Sequence, residues 1–588
     1  MYASVHERVK SAFRLEDAHR AYKRAVAHRH GTWDDIAKRS VNIRENKIPY
    51  GKMPNFDDYT GRLYKENLIF KHIKWLVSML TGNLVVYDLE SSVAIRDENT
   101  EALEVTLNMY AAQLDIHSKT SEALYDCLYT GMGYVRRSWN SKRRSVAHPK
   151  GQPCIDYVPA AKVYIDDTTH MPDKSDMGFI FHVEKRNYKT LSAQYPRYAS
   201  DFFNRKDNQD QIEEITMQFK VTQDVESVFL TDNAQDPPKR WLLPLADFDP
   251  AMNIEAVDVG TPFDCETTFW YEVKFFKDME FILQEPTFVG NESNYHIMSY
   301  SPQSNSAYSL GICYYMMDMQ DINIFLLTSL VHQTFKYQKN EKEIVNKALL
   351  NQKEYLANHW KVGCLAVVDE TWAKENPGRQ AVTNKFVGEV PGGIPLLVEY
   401  LKGSMKDISG VTDTVEGTPT FSGMSGVAVA QLQGAGKVYH KEEQLKYMRF
   451  LVKIGYSMMF DIAENLMDTP HYIDFLGADN TESKVLVNDP VNSPLTYEPE
   501  LMVVYCEVVE NIELMKQIKR QAMIDLFDRG AIARFRLLES YDLDNPSRLH
   551  AEAMEEQGLD QIFRFLKQNP ELMQEIQGMM QGMEAQAG

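Results

Sequence analysis

A chain of 588 residues with 44% hydrophobic and 25% charged composition has ample apolar side chain for a sizeable core, which excludes a disordered protein and favours several subdomains. Its formal net charge of −20, from 63 Lys+Arg against 83 Asp+Glu, argues against tight wrapping of nucleic acid, which needs a basic face. It leaves open a surface that nucleic acid slides past, because an acidic wall repels phosphate.

Residues 1–50 read as helical and basic, with Arg and Lys scattered through SAFRLEDAHRAYKRAVAHRH. Met1–His30 contains no apolar run of signal-peptide type, so a soluble product made in the cytoplasm is expected. In NLIFKHIKWLVSML (67–80), Leu68, Ile69, Ile73, Leu76, Val77 and Leu80 line one helix face. Residues 99–131 read as one further helix ending near Gly131 and Gly133, and YVRRSWN as a short strand. The stretch 154–290 is strand-rich, with β-branched and aromatic runs in CIDYVPAAKVYIDD, GFIFHVEKR and TFWYEVKFF. The acidic segment 205–215 between them reads as loop or surface helix.

Residues 306–338 form one long helical candidate. Asp318, Gln320, Asp321 and Asn323 interrupt it, which is too polar for a membrane span. Residues 340–394 are mixed, with a short apolar strand at Gly363–Val368 and turns at 376–378 and 391–393. A helix follows over Pro395–Ile408 and stops near Gly410. Then come a Gly/Ser/Thr/Pro-rich loop, Gly417–Gly426, and a long helix from Val427 to Met467, ended by Pro470. Leu501–Glu510 reads as a β segment and Asn511 to about Gly582 as helical.

Chemistry-bearing motifs are scarce. Gly434-Ala435-Gly436-Lys437 lacks the first glycine and the final Ser/Thr of a phosphate loop, since Gln431 and Val438 stand there. Asp166-Asp167 read as a capped turn, because adjacent strand residues point to opposite faces. His28 and His30 read as a solvated helix surface without a third ligand. The six cysteines are too dispersed for a zinc site or disulfide framework and read as reduced, buried thiols. No enzyme site, metal or cofactor is expected.

Seven segments, taken in order, resemble the portal proteins of tailed bacteriophages, podovirus-like in type. They are NLIFKHIKWLVSMLTGN (67–83), ALYDCLYTGMGYVRRSWN (123–140), VPAAKVYIDDTTHMPDKSDMGFIFHVEKRNYKTL (158–191), YSLGICYYMMDMQDINIFLLTSLV (308–331), ISGVTDTVEG (408–417), SGMSGVAVAQLQGAGKVYH (422–440) and Met515–Gln557. The third departs from the family pattern, with Asp167 where proline is frequent. The resemblance implies an α+β, mainly helical portal fold. Its parts would be an N-terminal wing (1–305), first stem helix (306–338), clip (339–394), second stem helix (395–416), tunnel loop (417–426), long tunnel helix (427–470), wing β segment (471–510) and crown (511–588). In the crown helix, Met515, Ile518, Ala522 and Leu526 share one face.

The resemblance further implies a homo-oligomeric ring, a dodecamer, at the capsid vertex of the virion. Viral double-stranded DNA would pass through its channel during packaging and ejection. The implied partners are the terminase large subunit, then head–tail adaptor and tail proteins, with major capsid and scaffolding proteins around the ring and no membrane. Thr418, Thr420, Phe421, Ser422, Met424 and Ser425 would form the DNA-channel loop, its shape changes allowed by Gly417, Gly423 and Gly426. Trp360 and Trp372 would be clip anchors, each with an alternative place in the core. Another head–tail connector or tail protein is the rival reading. A terminase or helicase would need a phosphate loop and acidic metal ligands.

Overall fold

A computed structural model describes residues 3–48, 64–81, 85–91, 98–140, 143–144, 151–207, 209–232, 239–244, 257–277, 282–304, 306–339, 342–358, 364–384, 392–411, 440–466, 471–476, 482–487 and 502–508. Helices and antiparallel sheets alternate, so the fold is α+β.

The basic N-terminal segment forms α1 (Ala3–Ala12), α2 (Leu15–Thr32) and α3 (Asp34–Arg44). They strap across the rest of the chain. Trp33, between α2 and α3, is buried, and its indole donates to the Thr130 and Ser309 carbonyls at 2.8 and 3.2 Å. Arg29 is enclosed beside it, donating to Asp34 at 2.6 Å and the Val163 carbonyl at 2.7 Å. His28 is a correction to the solvated reading: its Nε2 accepts from the Ala307 amide at 3.2 Å, and its ring stacks on Tyr308.

Next come α4 (Leu68–Thr81), β1 (Val85–Ser91), α5 (Glu98–Gln113) and α6 (Ile116–Thr130). The single helix expected over 99–131 is therefore two. Asp115 adopts φ 50, in the left-handed region, and its side chain caps α6 by accepting from Ser118 N.

β2 (Met132–Asn140) and β3 (Gln152–Val158) pair, and β2 also pairs with β11 (Tyr295–Ser299). The larger sheet runs β10-β9-β6-β5-β4, built from β4 (Val163–Ile165), β5 (Phe179–Asn187), β6 (Gln211–Asp232), β9 (Phe263–Phe276) and β10 (Ile282–Gly290). Two short helices, α7 (Tyr188–Gln194) and α8 (Ala199–Arg205), link β5 to β6. The far end of β6 carries β7 (Lys239–Pro244) and β8 (Val257–Val259). The segment expected as loop or helix at 205–215 thus enters a 22-residue strand at Gln211. Its acidic Glu213 and Glu214 stand between Ile212 and Ile215, and Arg186 holds Glu214 at 2.9 Å. The Asp166-Asp167 turn is as expected. Asp166 accepts from the Thr168 amide and hydroxyl and from the Gly178 amide, and Asp167 pairs with Arg24 at 3.6 Å.

The expected helix at 306–338 begins later. β12 (Ser301–Gln303) pairs with β13 (Ser306–Leu310), and α9 runs from Ile312 to Lys339. Ser306–Ser309 are all buried, a strand pattern hidden by neighbouring small and aromatic residues. After α9 a small module contains β14 (Lys342–Ile344), α10 (Gln352–Asn358), α11 (Glu370–Glu375) and β15 (Val382–Asn384). The strand expected at Gly363–Val368 is reduced to one bridge, Leu349 to Val368. Asn351 holds that segment instead, donating to the Leu365 carbonyl and accepting from the Val367 amide, both at 2.9 Å. α12 (Gly393–Ser409) ends at Gly410, φ 65, as the sequence indicates.

α13 (Lys441–Leu466) is the described part of the expected long helix. β16 (His471–Leu476) pairs with β17 (Glu482–Val487), and β18 (Met502–Val508) returns to pair with β1. The main core gathers α4, α5, α6, α9, α12, α13 and the β1–β18 pair, around residues such as Ile73, Leu124, Met316, Met405 and Ile454. None of the six cysteines forms a disulfide; Cys127, Cys313 and Cys506 are buried, while Cys154, Cys265 and Cys364 are only half-buried, which corrects the uniform expectation. The loop expected at 417–426, the segment at 434–438 and the stretch expected to be helical after Asn511 lie outside the described residues.

Candidate assembly surface

α9 is seated on α4 by its polar residues. Gln320 is fully buried and accepts from the Leu68 and Ile69 amides at 2.9 and 3.3 Å, while its amide donates to the Glu66 carbonyl. It satisfies the open N–H groups at the start of α4. Arg39 of α3 reaches Asp318 at 2.7 Å and Asp321 at 2.9 Å. Thr328 accepts from the Tyr64 amide at 3.0 Å. The polar residues that break α9 as a membrane span therefore fix its rotation. Among the described residues, no helix is long and apolar enough to cross a membrane.

α12 runs back along α9, because β14 and β15 close the module between them and α4 touches both helices. Its buried face is Val398, Leu401, Met405 and Ser409. Ser409 Oγ lies 3.3 Å from His72 Nδ1, and Lys402 pairs with Glu66 at 2.9 Å. The opposite face is also apolar: Leu396 is 68% and Tyr400 69% exposed, with Leu397 beside them. α9 likewise exposes Tyr314, Tyr315, Ile322 and Val331. More than half of the exposed large apolar side chains among the described residues fall between Tyr314 and Tyr400. A helix apolar on two faces has two partners, and the chain itself supplies one.

The small module has its own core of Ala348, Leu349, Tyr355 and Ala381. Trp372 on α11 is half-buried against this core, and also walls a groove of about 410 Å³ with Val368, Asn376, Arg379 and Val382. It serves as packing and as rim at once. Trp360, and the loop residues Thr418, Thr420, Phe421, Ser422, Met424 and Ser425, lie outside the described residues. Sequence reasoning passed over Tyr314, Leu396 and Tyr400. The signal was present in GIPLLVEYL, where apolar residues exceed what one helix stripe needs.

α13 is locked to the small sheet. Arg137 of β2 donates to the Ser457 carbonyl at 2.6 Å, pairs with Asp461 at 2.9 Å and donates to Asn294 at 2.9 Å. Ser457 Oγ lies 2.8 Å from His296 Nε2. Burial, reinforced by Arg137 and Lys453, depresses the His296 pKa to about 3, so the ring is neutral near pH 7. Tyr447 meets Thr120 at 3.1 Å.

The arrangement has packing surfaces and anchored helices, which suit a subunit of an assembly. Residues 64–588 match the family described as Phage P22-like portal protein. No curated protein matches the chain significantly. The matched stretch starts at α4 and takes in α9, the small module, α12 and α13, leaving only α1–α3 ahead of it. A match over so much of the sequence places this chain in the P22-like phage portal protein family, structural proteins that form an oligomeric ring at the capsid vertex of the virion.

Proposed function

We propose that twelve copies close into a ring whose channel carries viral DNA in during packaging and out during ejection. α9 and α12 are its paired stem helices, and the module between them is the clip. The surrounding sheets with α1–α6 make the wing, 417–426 the tunnel loop, and 511–588 the crown. The observation that supports this reading best is the doubly apolar α9–α12 pair enclosing a small module. The exposed faces of neighbouring copies cover one another in a repeating head-to-tail contact that closes. The clip docks the terminase large subunit first and the head–tail adaptor afterwards, with Trp360 and Trp372 as anchors. Major capsid and scaffolding proteins surround the wing. The acidic chain repels phosphate, so DNA keeps moving.

The loop is tested by deleting Thr418–Ser425. Rings should form as before, as counted by electron microscopy, while packaged DNA per particle falls. Normal infectivity of the deletion would contradict the channel role. For the clip, Trp360→Ala and Trp372→Ala are each expected to weaken capture of the adaptor by the assembled ring, and unchanged capture by both would remove them as anchors.

A further inference from the structure

The helices ahead of the family match are a basic part of an acidic chain. Residues 1–50 hold eleven Lys or Arg against six Asp or Glu, a net of +5 inside a total of −20. Their inner faces are fully committed to packing. Val5 and Val9 sit on Phe269 and Tyr271, while Ala18, Ala21 and Ala25 sit on Phe181 and Phe275. The outer face is thus presented in fixed geometry.

On α2, Arg20, Lys23, Arg24 and His30 are exposed and recur at helical spacing on one side. α1 adds Arg8 and Lys10, and Arg14 stands at the joint, all exposed. Arg20 and Arg24 share carboxylates, with Asp17 at 3.8 Å and Asp167 at 3.6 Å. Arg8, Lys10, Arg14 and Lys23 make no ion pair with a described residue. The groove beside α2 carries Arg20, Lys23 and His30 together with Glu16, and Lys277, just past β9, lines its far side paired with Glu213 at 3.9 Å.

We propose that the outer face of α1 and α2 binds the phosphate backbone of duplex DNA without reading its sequence. Charge complementarity carries the assignment. Two helices of about 15 and 27 Å present several cations to a polymer bearing one charge per ~1.7 Å of axis. A few contacts per copy are weak alone, but a ring repeats them, and one curved duplex engages several copies at once. On the proposed reading α1 and α2 belong to the wing and not to the channel loop, so failure of this proposal leaves the portal reading untouched.

The test uses assembled rings of the full chain and a short fluorescent duplex of mixed sequence, with anisotropy followed across a sodium chloride series. Arg8→Gln/Lys10→Gln/Arg14→Gln/Lys23→Gln should bind at least about tenfold more weakly and show a shallower salt dependence. A control with the same change of charge elsewhere, Lys162→Gln/Lys189→Gln/Arg197→Gln/Arg205→Gln, should bind as the parent does. Unchanged affinity and slope in the first variant would overturn the proposal, as would an equal loss in the control. If the first variant stops forming rings under conditions where the parent forms them, the face contacts carboxylates of a neighbouring copy, and the proposal is also overturned.

Discussion

Arg137 is almost enclosed where β2 meets α13, and its charge is met by Asp461, the Ser457 carbonyl and Asn294. Replacing it with leucine removes the guanidinium from the half-buried Asp461 and from the Ser457 carbonyl, at a cost of about 1–3 kcal/mol. Arg137→Leu should therefore lower the urea midpoint sharply, whereas Arg137→Leu/Asp461→Leu should recover much of the loss. His296 gives a pH dependence. Its folded pKa, about 3, lies below the ordinary value of 6.5, so the unfolded chain binds the extra proton between these limits. Stability then falls as pH drops from 6.5 towards 3, by up to about 1.4 kcal/mol per pH unit for this group. His296→Gln should flatten that acid slope in thermal melts taken from pH 7 to pH 4, and an unchanged slope would count against it. The sequence YVRRSWN indicates a strand with Arg136 and Arg137 on opposite faces. It does not indicate that Arg137 is buried and Arg136 half-buried, because their partners stand far along the chain: Glu272 for Arg136, Ser457 and Asp461 for Arg137.

At the scale of elements, the Gly-x-Gly step between α6 and β2 was legible in TGMGYV, and the structure supplies its reason. Gly131 ends α6 at φ 99, and a Cβ there would collide with the Ser309 carbonyl. At Gly133 it would collide with the Ala123 carbonyl. Gly131→Ala combines backbone strain with that clash and should cost about 3 kcal/mol or more. A melting temperature within a degree of the parent would contradict the geometry. The bounds of α4 and α12 were also legible, since one apolar stripe and a terminal glycine are local signals. The break at Asp115 and the strand Ser306–Leu310 were not. The first needs an aspartate in the left-handed region, and the second has Tyr308 stacking on Trp33, from the distant joint between α2 and α3.

For the whole molecule, the decisive fact is apolar surface left uncovered in a single copy. Leu396→Asp/Tyr400→Asp alters exposed positions, so it should leave the melting temperature of the unassembled chain nearly unchanged while abolishing ring formation at concentrations where the parent assembles. Ordered likeness along the chain made the family legible in the sequence. The assembly face was less so, because exposure is a property of the packed subunit. The measurement that bears most directly on the account is electron cryo-microscopy of the purified full-length protein. It should show closed rings of about a dozen subunits around an open channel, with the outer faces of α9 and α12 buried against adjacent copies. Monomers, open filaments, or rings in which Tyr314, Leu396 and Tyr400 face solvent would contradict it.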